Sequence, residues 1–366
     1  MPQISTPRLC LLATTDTAPS VLYGLLDVLA SAGSVYPEML EGTSGHQVFD
    51  VKIVAATKTP FRCFGNALVE PSLEIDEVQD TEVVVVCDMY QPINMSPLGR
   101  YPREIEWLKR IHQRGAFVAS VCTGSLLLGA AGLLDGLEAA THWGYREIFR
   151  DYFPKVTMCE DAILCLSGEG NRVVTAGGTT SWQELSLYLI ARFGGMKQAM
   201  LTKKVFLLGD RSDGQLPFSL MLPHPKSSDS VIAEIQTWIA ENYACTNPVA
   251  QMAGRANLTP RTFARRFRSA TGYDPMDYVQ SLRVDEAKQL LESDELNVDE
   301  VGVAVGYQDP TSFRRLFKRK AGLTPAAYRR KFARIVEHKT VPAQVGHMKG
   351  RTPKIARSPL GVLPAE

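Results

Sequence analysis

The sequence has no apolar run long enough to cross a bilayer, and no secretory apolar segment follows Met1. A soluble, cytoplasmic protein without a membrane partner is therefore expected. The seven cysteines, Cys10, Cys63, Cys87, Cys122, Cys159, Cys165 and Cys245, are scattered, odd in number and lack metal-binding spacing. They fit reduced thiols, most of them buried as small apolar residues, and no metal or cofactor is expected. Net charge is also scarce, +1 over 366 residues, until the chain is divided. Residues 1–227 hold 19 basic and 24 acidic residues, whereas 228–366 hold 21 and 15, so −5 faces +6. The basic excess belongs to the C-terminal part, where a polyanionic partner would bind.

That part contains one pattern twice. Phe263, Phe267, Gly272, Pro275 and Tyr278 recur 50 positions later as Phe313, Phe317, Gly322, Pro325 and Tyr328. Two copies are too few for a solenoid and read as two similar modules of one domain. Each has the parts of a helix-turn-helix. Val249, Met252 and Ala253 give a short apolar face, Asn257 a turn, and Thr259-Pro260 a cap with proline at the first helical position. Val298, Val301, Val305, Gly306 and Asp309-Pro310 repeat the arrangement.

In each second helix the phenylalanines are four apart and share one face. Arg261, Ala264, Arg265 and Arg268 then point elsewhere in the first copy, and Arg314, Arg315 and Lys318 in the second. Pro260 to Thr271 carries four arginines and no acid; Thr311 to Ala321 carries five basic residues and no acid. A helix with aromatics inward and arginines outward suits the DNA major groove, where arginine can bond guanine in a forked geometry. Pro275 to about Ser293 reads as a connecting helix with Tyr278, Val279, Leu282, Ala287, Leu290 and Leu291 as its apolar positions. Such a helix spans about 27 Å, enough to hold two reading helices about one turn of B-DNA apart.

Residues 229–332 resemble the paired helix-turn-helix domain of the AraC/XylS family of transcription regulators, most closely from Val301 to Arg329. By that resemblance the base-reading places fall on Arg261, Ala264 and Arg265 in the first module, and on Thr311, Ser312 and Arg315 in the second. Ala264 offers no polar base contact, so the first module either reads fewer bases or sets Ala264 against a thymine methyl. Gly302 stands where alanine is usual and should loosen its helix slightly.

The N-terminal part alternates short apolar strands, Leu9 to Ala13, Phe49 to Ala55 and Val83 to Cys87, with helical spacing over Val21 to Ala30 and Ile105 to Gln113. This predicts an α/β domain, a mostly parallel, flavodoxin-like sheet sandwiched by helices, with an all-α domain behind it. One turn has chemical potential. A buried strand ends at Val121, Cys122 sits in the turn, Gly124 permits close backbone approach, and a helix follows from Ser125. A thiol at a helix N-terminus is favoured as thiolate. Thr141-His142-Trp143 is placed to return a histidine to the same pocket.

These residues resemble the nucleophile elbow and histidine of the PfpI-like, class I glutamine amidotransferase-like superfamily, over roughly residues 6–208. Enzymes of that group commonly carry a glutamate on the first helix, but Val21 stands there, and Asp16 is the only nearby acid. Catalysis is therefore not expected. Cys122, His142 and Asp16 are read as a relic, and Cys122, Thr123, His142 and Trp143 as candidates for binding a ligand.

The expected organisation is a sensor and dimerisation domain at 1–210, a linker at 211–228, a DNA-binding domain at 229–332 and a disordered basic tail at 333–366. The expected function is a regulator, an activator by resemblance, acting as a homodimer on double-stranded promoter DNA with RNA polymerase and controlled by a small effector. The resemblance implies a nitrogen-containing metabolite. The alternatives are a Cys122-dependent enzyme of the isonitrile hydratase or amidase kind, and a DNA binder whose N-terminal domain only dimerises.

Overall fold

The computed structural model describes residues 6–221, 229–293 and 296–332. The expected tail, 333–366, and the linker stretch 222–228 lie outside the described residues. Among the described residues, strands occur only in the N-terminal half. They are β1 (Arg8–Leu12), β2 (Asp50–Ala55), the hairpin pair β3 (Phe61–Arg62) and β4 (Leu68–Val69), β5 (Leu73–Glu74), β6 (Val83–Val86) and β7 (Phe117–Val121). Four more follow: β8 (Glu138–Ala139), β9 (Thr157–Met158), β10 (Leu164–Ser167) and β11 (Val173–Ala176). The main sheet runs β10-β11-β7-β6-β1-β2-β5, parallel throughout except for the β10–β11 pair at its edge.

Helices cover both faces: α1 (Pro19–Ser31), α2 (Val35–Glu41), α3 (Pro102–Gln113), α4 (Gly124–Ala130), α5 (Arg146–Tyr152), α6 (Trp182–Gly194) and α7 (Met196–Val205). Successive residues of a strand point to opposite faces. Leu9 and Leu11 thus join Val85, Val121, Leu25 and Leu189 on the α1 and α6 side, while Cys10 and Leu12 join Val86, Trp107 and Ile111 on the α3 side. Burial on both faces is why β6 is four consecutive valines, all fully buried.

The C-terminal half, among the described residues, is helical: α8 (Ser230–Asn242), α9 (Pro248–Arg255), α10 (Pro260–Thr271), α11 (Pro275–Glu292), α12 (Val298–Ala304), α13 (Pro310–Ala321) and α14 (Pro325–Phe332). The repeated residues build two matching cores. Phe263, Phe267 and Tyr278 pack with Ile235, Ile239 and Met252 in one; Phe313, Phe317 and Tyr328 pack with Val301, Val305 and Leu291 in the other. Tyr278 meets Phe267 edge-on at 5.2 Å, and Tyr328 meets Phe317 edge-on at 5.5 Å. Gly272 and Gly322 end α10 and α13 at φ 74° and 73°, a left-handed conformation that costs glycine least.

The connecting helix α11 buries more than its apolar stripe. Arg283 lies within it and donates to the carbonyls of Tyr243, Cys245 and Gly306, so one guanidinium ties the end of α8 to the turn of the second module. Lys288, 2% exposed, donates to the carbonyls of Leu216 and Ser219. Gly302, expected to loosen its helix, also faces α13: a Cβ there would lie 3.0 Å from a ring carbon of Phe313, so the missing side chain permits packing there.

Candidate functional site

Cys122 stands beyond the carboxyl end of β7 with φ 54°, held by its N–H to the Ala176 carbonyl at 2.9 Å. Gly124 makes the turn possible: a Cβ there would lie 2.6 Å from the Val86 carbonyl oxygen. Asp88 leaves the end of β6 beside this turn and is buried. Its carboxylate accepts from the hydroxyls of Thr123 at 2.7 Å and Thr179 at 2.9 Å. Thr179 Oγ1 also lies 3.5 Å from the Cys122 sulfur. Above this floor is a cavity of about 180 Å³, walled by His142 and Tyr145 and flanked by Phe64 and Tyr90, whose rings stack at 5.2 Å. The position matches the rule that ligands of open parallel sheets bind past the carboxyl ends of the strands.

The electrostatics correct the thiolate expectation. Burial pushes the Cys122 thiol well above its ordinary value, and the adjacent Asp88 charge pushes it further. Burial also lowers His142, which stays neutral near pH 7. His142 Nδ1 accepts from the Gly144 N–H at 3.1 Å, which leaves the ring proton on Nε2. The helix-terminus argument fails because a 7-residue helix offers less than the cost of ionising a sulfur that is buried against a carboxylate.

Of the residues singled out from sequence, Cys122, Thr123 and His142 line the cavity together. Trp143 does not line it; its ring lies tilted beside His142 at 5.0 Å, and its backbone N–H donates to Gln215 Oε1 at 3.2 Å. Asp16 is also elsewhere, engaged by the Arg100 guanidinium and the Tyr101 hydroxyl. Val21 is fully buried on α1. Sequence reading missed Asp88, Tyr145 and the Phe64–Tyr90 stack.

Gln215 connects this site to the other half of the chain. Only 3% exposed, it donates to the carbonyls of Thr141 and Ala162, both at 3.0 Å. The next residues contact α11 through Lys288, and Asp285 accepts from the Met221 N–H at 2.6 Å.

A second surface lies on α10 and α13. Thr259 caps the first of these helices, and Asp309 caps the second by accepting from the Thr311 and Ser312 N–H groups. Capping turns the Asp309 carboxylate toward the backbone and lowers its pKa, chiefly through Ser312. Arg261, Arg265, Thr311, Ser312, Arg315 and Lys318 are exposed, and Ala264 is half-buried among them. Arg268 and Arg314 are exposed too, but each meets a carboxylate, Asp274 and Asp299 respectively. The outcome is a basic surface displayed by two matching helices and joined by an 18-residue helix.

Together these features define a two-part protein, a flavodoxin-like pocket domain joined to a paired helix-turn-helix domain. Residues 252–331 match the helix-turn-helix domain model, and residues 37–192 match the DJ-1/PfpI family. The chain is 30% identical over 263 residues to the HTH-type transcriptional regulator CdhR of Pseudomonas aeruginosa, covering 70% of this chain and 75% of that protein. It is 24% identical over 315 residues to the regulator GbdR of the same species, covering 84% and 83%. A shorter likeness, 30% over 125 residues, links it to the isonitrile hydratase of Pseudomonas putida, covering 34% and 52%. The chain belongs to the HTH-type transcriptional regulators that join a DJ-1/PfpI domain to an AraC-type helix-turn-helix domain. It is a DNA-binding transcriptional regulator. No helix among the described residues is long and apolar enough to cross a membrane.

Proposed function

We propose that this regulator is a cytoplasmic, homodimeric activator that meets RNA polymerase at promoter DNA and is controlled by a small nitrogen-containing cation bound over Asp88. The observation that carries the ligand class is a buried carboxylate beneath aromatic walls. Among the described residues no lysine or arginine forms an ion pair with Asp88. Aromatic faces and a carboxylate both attract cations, and a cavity of about 180 Å³ suits a small one. We read the pocket as one that binds rather than turns over its ligand: burial and the Asp88 charge favour Cys122 as the thiol, and His142, with Nδ1 accepting from Gly144, has no free ring nitrogen to take its proton.

On the DNA side, Arg261, Ala264, Arg265, Thr311, Ser312 and Arg315 face the base edges, and Lys318 serves a phosphate. Segment 210–221 carries the ligand's effect, since Gln215 bonds the residues around His142 while Leu216 and Ser219 are held by α11. A ligand shifts such an equilibrium only by preferring one arrangement.

The test is a thermal-shift series on the full chain with tetramethylammonium, primary amines, betaine-type zwitterions and neutral amides. A cation at 100 times its Kd should stabilise by about 2.7 kcal/mol. Asp88→Asn should remove the shift, and Tyr90→Ala, at the exposed mouth, should weaken it while leaving the unliganded melting temperature unchanged. Equal shifts from neutral amides, or a full cation shift in Asp88→Asn, would sink the proposed ligand class.

A further inference from the structure

Away from the pocket, two thiols meet. Cys159 Sγ and Cys165 Sγ are 3.2 Å apart, Cys159 half-exposed and Cys165 buried. Their backbones are fixed by different elements. The Cys159 N–H donates to the Ala139 carbonyl just past the β8–β9 pair, and Cys165 pairs with Thr175 in the edge strand β10. A disulfide needs about 2.05 Å between sulfurs, so the pair is about 1.1 Å from bonding.

The loop between them seats the segment that joins the two halves of the chain. The Asp161 carbonyl accepts from the Gln215 N–H at 3.1 Å, the Asp161 carboxylate from the Leu216 N–H at 3.0 Å, and the Ala162 carbonyl from the Gln215 side chain at 3.0 Å. Gly214 passes so near that a Cβ would lie 2.2 Å from Asp161 Oδ1. A covalent change at Cys159 and Cys165 therefore acts on both ends of the loop that holds Gln215 and Leu216.

We infer that Cys159 and Cys165 form an oxidisable dithiol, closed to a disulfide by a hydroperoxide, and that closing it reshapes the seat of the interdomain segment. The half-exposed Cys159 sulfur attacks the outer oxygen of the hydroperoxide and becomes a sulfenic acid, releasing the corresponding alcohol, or water from hydrogen peroxide. The Cys165 sulfur then displaces the sulfenic oxygen as water. Two thiols and one hydroperoxide thus give one disulfide, one water and one alcohol, the alcohol being a second water when the oxidant is hydrogen peroxide. Burial and the hydrogen bond to Cys159 hold Cys165 up at about 12, so the buried thiol resolves and the outer one reacts first.

Glu138 lies near enough that its carboxylate and both sulfurs fall within 4.8 Å of one another, which raises a metal as the competing occupant. The spacing favours the disulfide. Sulfurs bound to a tetrahedral zinc at about 2.3 Å stand about 3.8 Å apart, wider than this pair, and only three donors are present among the described residues.

The experiment treats the full-length protein with hydrogen peroxide, blocks remaining thiols with N-ethylmaleimide and reads the tryptic peptide 156–172, which contains both cysteines. The expected product has lost two hydrogens and carries no maleimide, and a dithiol reductant reverses it. Cys159→Ser and Cys165→Ser should each leave the surviving thiol open to maleimide. Hydrogen exchange at the Gln215 and Leu216 amides should change by about tenfold or more on oxidation, with β6 and β7 unchanged. Maleimide on both cysteines after peroxide treatment, or sulfinic acid without a disulfide, would overturn the dithiol. Zinc found in the native mass spectrum and lost in Cys159→Ser would assign the cluster to a metal instead. An oxidised loop with unaltered exchange at Gln215 and Leu216 would overturn its coupling to the segment.

Discussion

The two helix-turn-helix modules share five landmark residues and nearly the same core, yet they use their polar residues differently. In the first, α10 is capped by Thr259, Arg266 is committed to Asp229 at 2.5 and 2.9 Å, and Arg268 meets Asp274. In the second, Asn297 and Glu300 close a reciprocal cap on α12, and Asp309 binds two N–H groups at the start of α13. Arg314 meets Asp299, while Arg315 and Lys318 remain exposed. The second module therefore starts both its helices with better-satisfied backbone donors and keeps its reading face polar. The first places Ala264 at the middle of its reading face. Equal cores with unequal faces mean that folding should treat the modules alike and DNA should not.

The largest effect tests the equality of the cores. Phe263→Ala and Phe313→Ala each remove a fully buried ring and should cost about 3–5 kcal/mol in denaturant unfolding, with similar values. A difference of several kcal/mol between them would break the equivalence of the modules. Next comes the inequality of the faces. Arg315→Ala should cost about 1–3 kcal/mol in operator affinity and relax preference at its base, whereas Lys318→Ala should weaken all sequences and lower the salt slope by about 1. Binding measured over a salt series and a base-substituted operator set separates the two. A uniform loss for Arg315→Ala would remove it from the base-reading residues.

A smaller effect falls on the helix α12. Gly302→Ala gains about 1 kcal/mol in helix propensity, but its Cβ must displace the fully buried Phe313 ring, which overpacking data put at about 1–3 kcal/mol. The expected net result is a loss of about 1 kcal/mol, measured by urea unfolding. A stabilised variant would mean that the α12–α13 contact has slack.

The same contrast explains what could be read from residues alone. Phe263, Phe267, Gly272 and their counterparts announce themselves because helix periodicity and left-handed caps are local rules. The turn at Cys122 was legible for the same reason. Asp88 was not: after four valines and a cysteine, an aspartate reads as an ordinary strand end, and its partner Thr179 lies 91 residues away. Arg283 and Lys288 were missed within a correctly placed helix, because charge argues for exposure unless distant carbonyls are known to converge on them. Gln215, in a linker stretch rich in Gly, Pro and Ser, is buried against the Thr141 and Ala162 carbonyls of the N-terminal half. Each of these residues is defined by partners far away in sequence.

The smallest effects fall on the paired arginines. The Arg268–Asp274 and Arg314–Asp299 contacts join side chains that are more than half exposed, so removing either arginine should change folding stability by less than about 1 kcal/mol. Their bearing on DNA is sharper. A guanidinium already facing a carboxylate releases fewer counterions from a phosphate than a free one, so Arg268→Ala and Arg314→Ala should each lower the salt slope by less than Lys318→Ala does. If Arg268→Ala matches Lys318→Ala while Arg314→Ala does not, the Asp274 contact opens on DNA and the first module recruits in the complex a cation that it keeps paired when free. The modules, alike in pairing this arginine when free, would then differ in the complex.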